Sequence, residues 1–162
     1  PIFGGLILKT QATVGYIDGR DIPISELYFI GGINTVRGYN LRSIAPSERI
    51  GTERAPDATL TGAGNTNPFF VGGNKQLIFN FELEFPVFEK VGILGVLFYD
   101  AGNAWNHPFP RKGMKKTSFD ITDLHDSWGV GVRVRTPLGN FRLDYAQGED
   151  ESKTHFGFGE MF

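Results

Sequence analysis

Apolar and polar residues alternate with a period of two through most of this chain, and helical periodicity is almost absent. That pattern makes strands with one apolar and one polar face, so it confines the chain to a β-sheet covered on one side only. Gln76–Val87 is the clearest case. Leu77, Phe79, Phe81, Leu83, Phe85 and Val87 share one face; Gln76, Asn80, Glu82 and Glu84 share the other, where Ile78 intrudes. In Trp128–Arg135, Val130, Val132 and Val134 oppose Gly129, Gly131, Arg133 and Arg135. Phe141, Leu143 and Tyr145 oppose Arg142 and Asp144, and at the C-terminus Phe156, Phe158 and Phe162 oppose Gly157, Gly159 and Met161. Near the start, Leu8–Tyr16 alternates in the same way. Gly92–Trp105 is apolar on both faces until Asp100, so its inward side must meet something packed rather than bulk water. Six strands are predicted.

The connections alternate between tight and long. Pro86–Val91 and Thr136–Asn140 read as short turns with Pro or Gly in turn-favouring places. Asp18–Gly73 and Asn106–Asp126 are long polar stretches, with a smaller acidic loop at Gly148–Ser152. No secondary structure is expected of Ser47–Pro68, rich in Gly, Thr, Asn and Pro. Tight turns on one rim and long loops on the other are what an up-and-down barrel shows when its rims face different compartments.

Which face meets water decides the fold class. A soluble sandwich buries its apolar faces between two sheets, whereas an outer-membrane barrel turns them to lipid and lines its lumen with the polar ones. The apolar faces here are uniformly large. Aromatics stand near strand ends (Tyr16, Phe85, Trp105, Trp128, Tyr145, Phe162), as an interfacial girdle requires. The polar faces mix charges of both signs with many of the chain's 22 glycines. The barrel therefore leads, with a soluble β-sandwich binding module behind it. The longest apolar stretch, Val91–Tyr99, falls short of the about 20 residues of a spanning helix, so no transmembrane helix or secretory signal is expected. A net charge of −2 argues against nucleic-acid binding, and the absence of Cys excludes disulfides, thiol catalysis and Cys-based zinc sites. His107, His125 and His155 lack ligand-like spacing, Glu149–Asp150–Glu151 reads as a solvated acidic loop, and no catalytic signature stands in a convincing context. No enzyme, metal or cofactor is expected.

Phe29–Tyr39 reads FIGGINTVRGY, after the run IPISELYFIGG at Ile22–Gly32. ELEFPV at Glu82–Val87, FYDAGNAW at Phe98–Trp105 and GVGVRVRTPLGNFRLDY at Gly129–Tyr145 follow in order. Together these resemble the BamA-type family of outer-membrane assembly factors, whose relatives include TamA, two-partner-secretion transporters and organellar counterparts. Val36, Arg37, Gly38 and Tyr39 match the family's VRGF/Y motif, and His155–Phe162 resembles its C-terminal strand. The resemblance implies an all-β fold: residues 1–162 as the C-terminal six strands of a transmembrane antiparallel barrel, sixteen-stranded in the family. It makes residues 18–73 a long loop folded into the lumen. One departure is Glu160, where the family's β-signal has an apolar residue. The POTRA domains and first ten strands are absent from this sequence. A first residue of Pro is what a fragment or processed chain shows, and six strands alone, with two open edges, are expected to aggregate.

The family pattern implies that Arg37 contacts inward acids on neighbouring strands, and Glu84 and Asp100 are the expected partners. Period two puts Glu84 on the polar face, and the family register puts Asp100 inward with Val96 and Phe98. A planar guanidinium can hold two carboxylates through charge-assisted bonds while Gly38 turns the loop tip. Taken alone, Arg37 would be an exposed hairpin arginine; four motifs in order reverse that reading. Arg133, Arg135, Arg142 and Asp144 allow a charge ladder inside the barrel, but ordinary lumen lining with compensating charges is the expectation. Phe156, Gly157, Gly159 and Phe162 are the candidate seam strand, in which glycine either weakens the seam or admits the loop against the wall. The function implied is folding and insertion of β-barrel proteins in a bacterial outer membrane, with unfolded outer-membrane clients, accessory assembly lipoproteins and the lipid bilayer as partners. A polypeptide translocator of the same family is the alternative.

Overall fold

A computed structural model describes residues 5–19, 22–48, 69–106, 119–137, 139–149 and 151–158. Eight strands run in chain order: β1 (Ile7–Tyr16), β2 (Ser47–Glu48), β3 (Phe69–Phe70), β4 (Lys75–Phe88), β5 (Ile93–Trp105), β6 (His125–Thr136), β7 (Gly139–Gln147) and β8 (Ser152–Phe158). Six form one sheet in the order β1-β4-β5-β6-β7-β8, every neighbour antiparallel, with β1 and β8 at its edges. The predicted six strands are thus present. β2 and β3 pair separately inside the long loop.

Alternation becomes an inside-out distribution of exposure. On β4 the residues Asn80, Glu82 and Glu84 are buried, while Phe81 and Val87 on the opposite face are exposed. Leu97 and Tyr99 on β5, Trp128, Val130 and Val132 on β6, Leu143 and Tyr145 on β7, and Phe156 and Phe158 on β8 are exposed on that same face. Among the described residues no second sheet covers it, which removes the sandwich. A continuous apolar band outside and buried ionic groups inside is the order a hydrocarbon solvent imposes.

The inward face is closed by the long loop. Backbone bridges Tyr28–Gly73 and Ile30–Ile44 fold the loop on itself. Ile30, Val36 and Ile44 form a core with Ile78 and Ala104 of β4 and β5. Ile78, the apolar intruder on a polar face, is therefore the wall's contribution to loop packing. Val96 and Phe98, the apolar inward residues of β5, are likewise buried.

Three expectations are corrected. Pro86 does not begin a turn: β4 runs on to Phe88 through a register shift between Pro86 and Phe88, where an irregular ladder tolerates a missing N–H. The turn itself is the short 3-10 segment Glu89–Val91, closed by Gly92 at φ 72°. Trp105 is not in the girdle. It is fully buried, its ring edge-on to Phe119 at 4.9 Å. Tyr16, Trp128 and Tyr145 are exposed, whereas Phe85 is half-buried and Phe162 lies outside the described residues.

Val130 sits mid-strand on the exposed face. Val130→Arg is expected to cost about 2–4 kcal/mol in unfolding from lipid vesicles. An unchanged midpoint in a denaturant titration would mean that this face meets water.

Candidate functional site

Arg37 sits at the loop tip with no exposed surface, its guanidinium held against β4, β5 and β7. Nε and Nη2 donate to the two oxygens of Asp100 on β5, at 2.6 and 2.9 Å, a bidentate fork that its own backbone N–H joins at 3.2 Å. Nη1 donates to Glu82 of β4 at 3.0 Å and to Asp144 of β7 at 3.4 Å. Arg133 of β6 completes the cluster, donating to Glu82 at 3.0 Å and to both oxygens of Asp144. Asn80 donates to Asp100 at 2.9 Å and to the loop carbonyl of Thr35 at 2.6 Å. The Phe98 ring lies beneath the guanidinium, 3.5 Å from Arg37 Cζ to the ring centroid.

Two guanidiniums against three carboxylates leave one negative charge, and Arg142, directly across from Arg133, supplies a third cation. Burial alone would lower the Arg37 pKa. The hydrogen bond to Asp100 and the fields of Asp100, Glu82 and Asp144 outweigh it and raise the value above that of free arginine. Arg37 is a permanent cation here. Its role is therefore to hold the loop, since it has no proton to exchange.

Glycines make the room. A Cβ at Gly102 would press on Val36, one at Gly129 on the Phe98 ring, and one at Gly131 on the Arg133–Asp144 pair. Gly38 has φ 88°, and a Cβ there would stand 2.9 Å from the Gly148 backbone nitrogen, so the loop tip meets the β7–β8 turn backbone to backbone. Its N–H donates to Nε2 of His155 at 3.1 Å. The Tyr39 hydroxyl donates to the Asp126 carbonyl at 2.9 Å and accepts from the Glu149 N–H at 3.2 Å. Val36 is fully buried in the loop core.

The expected pair Arg37–Asp100 is brought together; Glu84 is not. It is occupied by Lys9 at 2.9 Å and Arg135 at 3.5 Å, and Glu82 takes the expected place. Both acids share a face, but Glu84 lies two residues, about 7 Å, farther from the loop rim. Arg133 and Asp144 belong to the site instead of being ordinary lumen lining. The signal was the ladder: Glu82 stands opposite Phe98, and Asn80 opposite Asp100. Phe156 is exposed and stacks on Phe141 at 6.3 Å. Gly157 faces inward, where a Cβ would meet Arg142 and Ile33, so its smallness admits the loop against the wall. Gly159, Glu160 and Phe162 lie outside the described residues.

A family model described as "Omp85 superfamily domain" matches residues 2–162. The chain is 28% identical over 134 residues to the outer membrane protein assembly factor BamA of Nitratidesulfovibrio vulgaris, covering 82% of this chain and 14% of that protein. It is 29% identical over 146 residues to the chloroplastic outer envelope protein 80 of Arabidopsis thaliana, covering 90% and 16%. To a SAM50-like protein of Drosophila melanogaster it is 26% identical over 140 residues, covering 83% and 26%. The chain thus spans no more than about a quarter of these relatives' length. The crystal structure of BamA from Haemophilus ducreyi lacking POTRA domains 1–3 matches with a TM-score of 0.64 at 21% identity, covering 94% of this chain and 30% of that one. That likeness shows the fold.

Asp100→Asn and Glu82→Gln are expected to free the loop, raising amide exchange over residues 30–44 by about a hundredfold, near the lower bound for breaking a buried pair. Glu84→Gln, outside the cluster, should leave the loop's exchange unchanged. Equal effects at Glu82 and Glu84 would show that the cluster does not hold the loop.

Proposed function

This chain belongs to the Omp85 superfamily, and on that premise we propose that it serves in the folding and insertion of β-barrel proteins into an outer membrane. Its setting is an outer-membrane β-barrel, of which it forms six strands and a lumen loop. The observation that carries the reading is the loop clamped by Arg37 onto β4, β5 and β7, and by Tyr39 onto β6, in a neutralised, buried pocket. That clamp makes one side of the wall stiff up to its last strand. Among the described residues, β8 pairs with β7.

The work proposed is physical, without covalent chemistry. An unfolded outer-membrane client presents backbone N–H and C=O groups that cost several kcal/mol each if they enter hydrocarbon unpaired. A sheet edge at membrane depth offers those groups partners by strand addition, and a locally thinned bilayer lowers the remaining barrier. Accessory lipoproteins belong to this reading as partners of the whole assembly. The same-family alternative, a polypeptide translocator, needs its lumen as a conduit. A loop packed as core against the inner wall favours assembly over conduction.

The test is client folding in proteoliposomes made with the whole protein. Arg37→Ala is expected to slow client insertion by about tenfold, equivalent to roughly 1.4 kcal/mol of barrier. An unchanged rate would overturn the role given to the loop. Passage of an unfolded passenger through the vesicle wall without client insertion would establish the translocator instead.

A further inference from the structure

His155 stands on the inward face of β8, opposite Asp144 in the β7–β8 ladder, and its Nε2 accepts the Gly38 N–H at 3.1 Å. A backbone amide can only donate, so this contact requires a bare lone pair on Nε2 and places the ring proton on Nδ1. Protonation of the ring would remove the acceptor and set one N–H against another. The charged groups around the imidazole come from every element packed on it: Arg37 from the loop, Arg142 and Asp144 from β7, and Lys153 from its own strand. Asp144 is the one carboxylate among them. Both of its oxygens already accept from guanidiniums, Oδ1 from Arg133 and Oδ2 from Arg37 and Arg133. An imidazolium formed here would meet three cations and a single, already engaged, anion.

The contact also has a particular place in the fold. Arg37 ties the loop to β4, β5 and β7, and Tyr39 ties it to β6 and the turn after β7. His155 extends that attachment to β8, the outer strand of the sheet. Below it, Gly157 offers no side chain, and a Cβ there would meet Arg142 and Ile33. We propose that His155 is a proton-operated latch between the loop tip and the last strand, shut while its imidazole is neutral and released when the ring takes up a proton. Acidification then loosens the junction between the motif and β8 while the ionic clamp on the other strands stays closed. This goes beyond the assembly reading and does not depend on it, because the loop itself is what is measured.

Hydrogen exchange tests it on the whole protein in lipid nanodiscs, at about pH 7.5 and about pH 5.5, on either side of the ordinary histidine range. After correction for the intrinsic pH dependence of exchange, protection of residues 36–40 is expected to fall by about tenfold at the lower pH, the scale of one hydrogen bond. The Ile30–Ile44 bridge should keep its protection and report that the loop's own fold is intact. His155→Gln offers an amide oxygen as acceptor at either pH, so its protection should be high and flat; His155→Ala should be low and flat. His125 lies edge-on to Tyr39 at 5.8 Å, so His125→Gln must retain the wild-type response. A flat wild-type profile, a pH response that survives in His155→Gln, or one abolished by His125→Gln would each overturn the latch.

Discussion

An arginine without exposed surface constrains the rest of this structure. Taking a guanidinium out of water costs several kcal/mol, and only carboxylates in close, well-angled contact offset that cost. Arg37 has three of them, on three different strands. The polar faces of β4, β5 and β7 are therefore parts of one binding pocket for one side chain that enters from the loop. Arg133 is the counterpart from the wall, keeping Glu82 and Asp144 neutralised on their remaining oxygens. Such a cluster contributes little net stability beyond what an apolar plug of the same size would give. What it supplies is placement, since the fork can be satisfied at one height and one rotation only.

The same cluster explains why the outside can be so apolar. A sheet whose charges are all paired on one side is free to present Val, Leu, Phe and Trp on the other, and in lipid no force drives those side chains to cluster. The exposed residues of β5 to β8 form an unbroken surface of this kind. Among the described residues, the backbone between the two faces is hydrogen-bonded through ladders on both sides of β4, β5, β6 and β7. Unpaired backbone at membrane depth is the costliest feature such a sheet can have.

Faces were legible in the sequence; heights were not. Period two assigns a residue to the inside or the outside, and Glu82, Glu84, Arg133 and Asp144 all stand on the side the alternation gives them. Which acid meets Arg37 depends on strand register and on how deeply the loop descends, and neither leaves a trace in a two-residue period. Glu84, two residues too deep, was therefore indistinguishable from Glu82. Trp105 shows a second limit: an aromatic at a strand end suits a lipid girdle equally well as a buried contact, and only its packing against Phe119 decides. Ile78 was readable in hindsight. A lone apolar residue on a polar face is anomalous until a loop is laid against it.

The glycines show how the wall and the loop depend on each other. Gly102, Gly129 and Gly131 are strand positions where a side chain would ordinarily add packing and β-propensity, and each gives that up. A Cβ at Gly129 or Gly131 would meet the wall's own Phe98, Asp144 and Arg133, and one at Gly102 would meet Val36 of the loop. Their bareness is what lets Phe98 lie flat under the guanidinium and lets Asp144 reach Arg133. The strands are thus weakened locally so that the loop can approach. A wall built in this way is complete only with Arg37 in place, and undocking the loop would leave three carboxylates short of a cation above a row of bare backbone. Loop and barrel are accordingly one folding unit, and the motif at the tip is as much part of the wall as the strands are.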